Sequence, residues 1–154
     1  RTGVRITDET LARLAEHDRI LAVKDATGDV EQGFRRMEAT GLEYYSGDDG
    51  LNFAWLAHGA SGVVSVVAHA DAHSWREMIT EVDAGDLAGA RAVARRIRPL
   101  VQAIMGGGQG AVMAKEALLL QGRIPSAALR LPLVRAEADE VAALRAVLDA
   151  SGLL

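Results

Sequence analysis

The chain contains no cysteine. That excludes disulfides and thiolate metal sites and permits a reducing compartment; the cytoplasm is the expected location. No run of about 18 apolar residues occurs, so no membrane-spanning helix is predicted. The polar start Arg1-Thr2-Gly3-Val4-Arg5 does not read as a signal peptide. Positive charge is not in excess: the formal net charge is −4 and the pI is about 5.5. A general nucleic-acid binder would show the opposite balance. There is no repeat of fixed period and no low-complexity segment. An initiator methionine is also missing, and the first residue reads as the middle of a loop. The expectation is a fragment or a processed chain.

What remains is a globular balance. Of 154 residues, 49% are hydrophobic and 25% charged, which suits one ordinary domain or a piece of a larger one. Thr7 caps a first helix whose opening turn is acidic, with Leu11 and Leu14 at helical spacing. A first strand is predicted from Ile20 to Asp25, and a second helix from Asp29 to Thr40, stopped by Gly41. Leu42 to Ser46 reads as a second strand, followed by the turn cluster Gly47-Asp48-Asp49-Gly50. Leu51 to His58 reads as a short helix, and Gly62 to Val67 as a third strand. That strand is almost wholly branched and apolar, which suits a sheet covered on both faces.

Strands alternating with helices predict parallel crossovers and an α/β fold. Three strands alone would leave open sheet edges, so further strands are expected outside this sequence. Beyond residue 70 only helices are predicted: Ala72 to Val82, Asp86 to Met105 and Gln109 to Gln121. Pro99 should kink the second of these. A proline-bearing connector, Ile124 to Pro132, leads to a last helix from about Ala136 to Ala150.

The stretch Ile20-Leu21-Ala22-Val23-Lys24-Asp25-Ala26-Thr27-Gly28 places a lysine where an apolar strand meets a loop. Lost hydration there favours the neutral amine, and a neutral amine can condense with a carbonyl. The plainer alternative is a packed stem with its ammonium in water. In parallel α/β folds ligands bind where strands meet their helices. Lys24, Ser46-Gly47-Asp48 and the end of the third strand all fall there. Arg1 could supply a forked cation for a carboxylate-bearing substrate.

Other candidates are weaker. His69 and His73 stand four apart but lack the glutamate of the zinc-peptidase pattern, so capping or surface roles are favoured over a metal site. Gly106 to Gly110 could cradle an anion, yet it lacks the lysine and hydroxyl of a phosphate loop and reads better as a helix break. Asp48 and Asp49 could work as an acid–base pair or simply make a turn. Arg91, Arg95, Arg96 and Arg98 read as a solvated face, with a subunit contact as the alternative.

Arg1-Thr2-Gly3, Val23-Lys24-Asp25-Ala26-Thr27-Gly28, Tyr45-Ser46-Gly47-Asp48-Asp49, Gly62-Val63-Val64-Ser65-Val66 and Arg130-Leu131-Pro132-Leu133 stand in the order and near the spacing of one family. Together they resemble the C-terminal half of dihydrodipicolinate synthases, class I aldolase-type lyases of lysine and diaminopimelate biosynthesis. The resemblance covers essentially the whole chain. It implies the C-terminal portion of a (β/α)8 TIM barrel: the last three parallel strands and their helices over residues 1–70, then the last barrel helix and a C-terminal helical region over 71–154.

It further implies that Lys24 condenses with pyruvate, that Arg1 binds the carboxylate of aspartate semialdehyde, that the backbone of Val64 touches pyruvate, and that Gly47 lines the same mouth. The product would be 4-hydroxy-tetrahydrodipicolinate, formed with no metal or organic cofactor. The implied assembly is a homo-oligomer, tetrameric in most of the family, with no nucleic-acid or membrane partner. The family's proton-relay tyrosine, its paired threonine and most of its lysine-feedback site belong to the half not represented here, so poor activity of this chain alone is expected. Neuraminate lyases and keto-sugar-acid aldolases of the same superfamily share the lysine but not the Arg-Thr-Gly segment, which makes Arg1 the discriminating residue. A non-catalytic half-barrel acting as an assembly partner is the alternative of another class.

Overall fold

A computed structural model describes residues 3–107 and 109–154. The chain forms two compact units, Arg1–Val64 and Ser65–Leu154.

The first unit begins with α1 (Asp8–Ala15), whose N-cap Thr7 accepts a hydrogen bond from the Thr10 amide at 3.2 Å. Strand β1 (Ala22–Asp25) follows, then α2 (Val30–Thr40). The Asp29 carboxylate caps α2 through the Gln32 amide at 3.1 Å. Gly41 ends α2 with φ 65°, a left-handed conformation that costs glycine nothing. Strand β2 (Glu43–Ser46), helix α3 (Asn52–Ala57) and strand β3 (Gly62–Val63) complete the unit. The strands are parallel in the order β1-β2-β3, with Lys24 beside Tyr45 and Tyr45 beside Gly62.

The helices cover one face of this sheet. Tyr44 points to them, stacked on Trp55 of α3 at 5.8 Å between ring centroids, with Leu11 of α1 and Phe34 and Met37 of α2 completing the cluster. Gly33 is the floor under Trp55: a Cβ there would lie 2.2 Å from the indole edge. Arg36 ties α2 to the start of α1 and the chain just before it, donating to the Asp8 carboxylate at 2.6 Å and to the Ile6 carbonyl at 2.9 Å.

Three expectations need correction here. The first strand starts at Ala22 rather than Ile20, and Leu21 is 70% exposed. The third strand stops at Val63 instead of continuing to Val67. Val66 adopts helical angles, and Ser65 accepts the Ala68 amide at 2.9 Å, so the valine run bends into a 3-10 turn over Val67–His69. A local side-chain cap thus outcompetes the ladder that composition alone favours. Nor is the sheet covered on both faces. Ala22, Lys24, Glu43 and Val64 are exposed, because the unit has helices on one face only.

The second unit is helical. Asp71 caps α4 (Ala72–Asp83) through the Ser74 amide at 3.0 Å, and Asp86 caps α5 (Leu87–Met105) through Gly89 at 2.9 Å. Pro99 lies inside α5. Helix α6 (Gly110–Leu120) follows, and α7 (Ala138–Ala150) opens with a capping box between Glu137 and Glu140. Trp75, Met78, Ile97, Leu100, Ile104, Leu144 and Leu148 form its buried interior. Two side chains of α6 hold the connector before α7. Lys115 donates to the Ala128 carbonyl, and buried Glu116 accepts a two-pronged bond from Arg135, each prong at 2.8 Å. No helix among the described residues is long and apolar enough to cross a membrane.

Candidate functional site

Parallel pairing brings the three strand ends of the first unit side by side. The Gly47 amide donates to the Asp25 carbonyl at 2.7 Å, and the Val64 amide donates to the Ser46 carbonyl at 2.7 Å. Side chains alternate along a strand, so Lys24, Tyr45 and Val64 share the face that the helices leave open. Gly47, two residues beyond Tyr45, is on that face as well. A Cβ built on Gly47 would meet Lys24 Cε at 2.5 Å and Cγ at 3.0 Å. The lysine stem therefore lies across Gly47, which has to be small to admit it. The next step of the sheet repeats the pattern: a Cβ on Gly62 would meet the Tyr45 ring at 3.0 Å.

Lys24 is exposed, against the expectation of an amine deprived of water. The stem packs on Gly47, on the face that the helices leave open. Arginine supplies fifteen of the chain's cations, and only Lys24 and Lys115 are lysine. A guanidinium stays protonated in proteins, whereas an amine can lose its proton and become a nucleophile. Lys115 is engaged with a backbone carbonyl. Lys24 is therefore the one lysine at the strand ends.

Behind the sheet the next residue turns the chain. Asp25 is only 6% exposed. Its Oδ1 accepts both the Thr27 amide at 2.9 Å and the Thr27 hydroxyl at 2.8 Å. Thr27 Oγ1 in turn accepts the Asp29 amide at 3.3 Å. The aspartate-to-threonine spacing is a turn signal carried by the sequence itself. On the same covered face the Tyr44 phenol is held above its ordinary pKa, chiefly by burial, with the Asp25 carboxylate adding to the rise and Thr40 opposing it.

Arg1 lies outside the described residues. His69 sits in the 3-10 turn, with Nδ1 2.9 Å from the Val66 carbonyl, and His73 sits in the first turn of α4, so one helix does not carry both. Among the described residues no group of three or more histidines and carboxylates is placed to hold a metal. Asp48 makes a turn, its Oδ1 accepting from the Gly50 amide at 3.0 Å, while Asp49 is buried and accepts from Asn52 at 3.3 Å. The two carboxylates therefore have separate environments. Gly110 allows α6 to start close to Met105, whose sulfur would stand 2.7 Å from a Cβ. Of the arginine run, Arg96 is paired with Glu77 of α4.

Comparison with known proteins bears on the whole chain. The model of the dihydrodipicolinate synthetase family matches residues 1–151. A 4-hydroxy-tetrahydrodipicolinate synthase of Kineococcus radiotolerans is 50% identical over 153 residues, covering 99% of this chain and 50% of that relative. The crystal structure of dihydrodipicolinate synthase from Thermotoga maritima matches with a TM-score of 0.93 at 37% identity, covering 100% of this chain and 54% of that one. The Acinetobacter baumannii synthase, solved with pyruvate, matches with a TM-score of 0.92 at 32% identity, covering 100% of this chain and 53% of its own. This chain spans about half the length of the curated relatives it matches.

Proposed function

This chain belongs to the dihydrodipicolinate synthetase family, and from that premise we propose that it carries the Schiff-base lysine of a pyruvate-condensing lyase. Its fold is the C-terminal portion of a (β/α)8 barrel, with β1 to β3 as the last three strands. The observation that supports the reading is the position of Lys24, at the carboxyl end of β1 with its stem across Gly47.

In the proposed reaction the neutral Lys24 amine adds to the ketone carbon of pyruvate, and water leaves to give a protonated imine. Loss of a methyl proton gives the enamine. Its carbon attacks the aldehyde of aspartate semialdehyde, forming the new carbon–carbon bond. The amino group of that second substrate then displaces Lys24 from the former ketone carbon. Ring closure yields 4-hydroxy-tetrahydrodipicolinate and frees the lysine. Val64 would offer backbone to pyruvate, Gly47 the room beside it, and Arg1 the cation for the aldehyde's carboxylate. None of these steps needs a metal or organic cofactor.

The exposed amine has a consequence. Removing water strengthens electrostatic control over a reacting group, and this open face does not remove it. We propose that the chain alone turns over poorly and that closure comes from further polypeptide in a homo-oligomeric enzyme. The open sheet face and half-length match also favour a second reading, an assembly partner with no turnover of its own. A chain sedimenting as a well-behaved monomer would count against it.

Borohydride reduction with pyruvate tests the main reading directly. The expected result is one reduced pyruvate adduct, mapped by mass analysis to Lys24 and absent in Lys24→Ala. Undiminished labelling in that variant would defeat the assignment. A panel of aldehydes and keto-sugar acids on a full-length version then separates the synthase from the other aldolases.

A further inference from the structure

We infer that Asp25 and Thr27 are positioning residues for Lys24, acting through the turn that follows β1; this inference rests on the proposal that Lys24 is the nucleophile. A lysine side chain has four rotatable bonds and loses much rotamer freedom when held in one geometry. Strand β1 ends at Asp25, one residue after Lys24, so the turn that follows it governs where the amine is carried. Something must fix the strand end if the amine is to meet a carbonyl in one orientation.

Asp25 joins three parts of the rim. Its carbonyl accepts the Gly47 amide, and Gly47 is the surface on which the Lys24 stem rests. Its buried carboxylate accepts both donors of Thr27. Through Thr27 the chain of bonds reaches the Asp29 amide, and Asp29 caps α2. One end of this series is anchored on a helix and the other under the lysine. A buried carboxylate left without donors is costly, so the turn cannot relax without exposing it. Thr27 supplies two donors from one residue. Serine would supply the same two, whereas valine keeps the shape and only the amide.

The test compares Thr27→Val, Thr27→Ser and the unchanged chain. The first readout is the rate of borohydride trapping at Lys24 against pyruvate concentration. Thr27→Val should lower the saturated rate on the order of tenfold to a hundredfold, the scale of a small misplacement of a reacting group. Thr27→Ser should restore it, and methylation of Lys115 by formaldehyde and borohydride should be unchanged in both. Trapping by Thr27→Val at the unchanged rate would overturn the inference. So would loss in Thr27→Ser equal to that in Thr27→Val.

The second readout needs no pyruvate. Methylation with labelled formaldehyde gives one resonance for each of the two lysines, apart from that of the terminal amine. A shifted or split Lys24 resonance in Thr27→Val, with Lys115 unmoved, supports the inference; coincident spectra overturn it. If the unchanged chain traps no pyruvate, the proposed function fails and this second readout still decides the positioning role. Should Thr27→Val not fold, Thr27→Ala against Thr27→Ser carries the same comparison.

Discussion

In the unit Ser65–Leu154, Leu100 and Ile104 of α5 and Leu144 and Leu148 of α7 are buried by helices packed on one another. In the unit Arg1–Val64, Tyr44 and Trp55 are buried as deeply, yet Lys24, Glu43 and Val64 stand exposed on the other side of the same sheet. A helix satisfies its own backbone and needs one covered stripe; a sheet has two faces and two edges to satisfy. The chemistry proposed here sits in the region that is less closed.

The sharpest way to break the contrast is a deletion in the closed region. Leu100→Ala should cost about 2–5 kcal/mol, the range for buried leucines that leave a cavity. Leu21→Ala, at an exposed position, should stay within about 0.5 kcal/mol. Urea unfolding midpoints give both. Equal effects would mean that exposure is no guide to energy in the open region.

Gly33→Ala tests how tightly the covered face of the sheet is packed. Alanine gains about 0.5–1 kcal/mol in a helix interior. Forcing a methyl group into a filled core commonly costs about 1–3 kcal/mol. The 2.2 Å approach to Trp55 makes the clash the larger effect. Net destabilisation with an altered near-ultraviolet dichroism of Trp55 is expected.

Gly47→Ala sharpens the contrast from the open side. Stability should change little, while trapping of pyruvate at Lys24 should fall on the order of tenfold or more as the stem is displaced. A variant that traps normally would show that the stem has other room.

The smallest effect concerns Glu77. Its hydrogen bond with Arg96 lowers the carboxyl pKa below the ordinary value. A depressed acid stabilises the fold above its unfolded pKa and loses that contribution as pH falls through the folded one. Glu77→Gln should therefore lower stability slightly at neutral pH and make no difference well below the glutamate range. Added salt should shrink even the neutral difference, because the pair is partly exposed.

Local signals were the legible ones. Thr7 and Gly41 marked helix ends because a cap depends on a few neighbouring residues. The parallel order and its open edges followed from strands alternating with helices. The end of β3 did not follow, since a serine inside a valine run looks like strand until its hydroxyl is seen capping a turn. The exposure of Lys24 was hidden for another reason. Apolar periodicity marks which side of a strand is covered, but not how many layers are present to cover it. The contact between Lys24 and Gly47 joins two strands, so it needed the register.

The lean of Lys24 over Gly47, repeated by Tyr45 over Gly62, makes each strand the landlord of its neighbour's side chain. Whoever redesigns this rim should edit the neighbouring strand. To move the amine, alter position 47; to move the phenol ring, alter position 62; changing the long residue itself forfeits the very group one meant to steer.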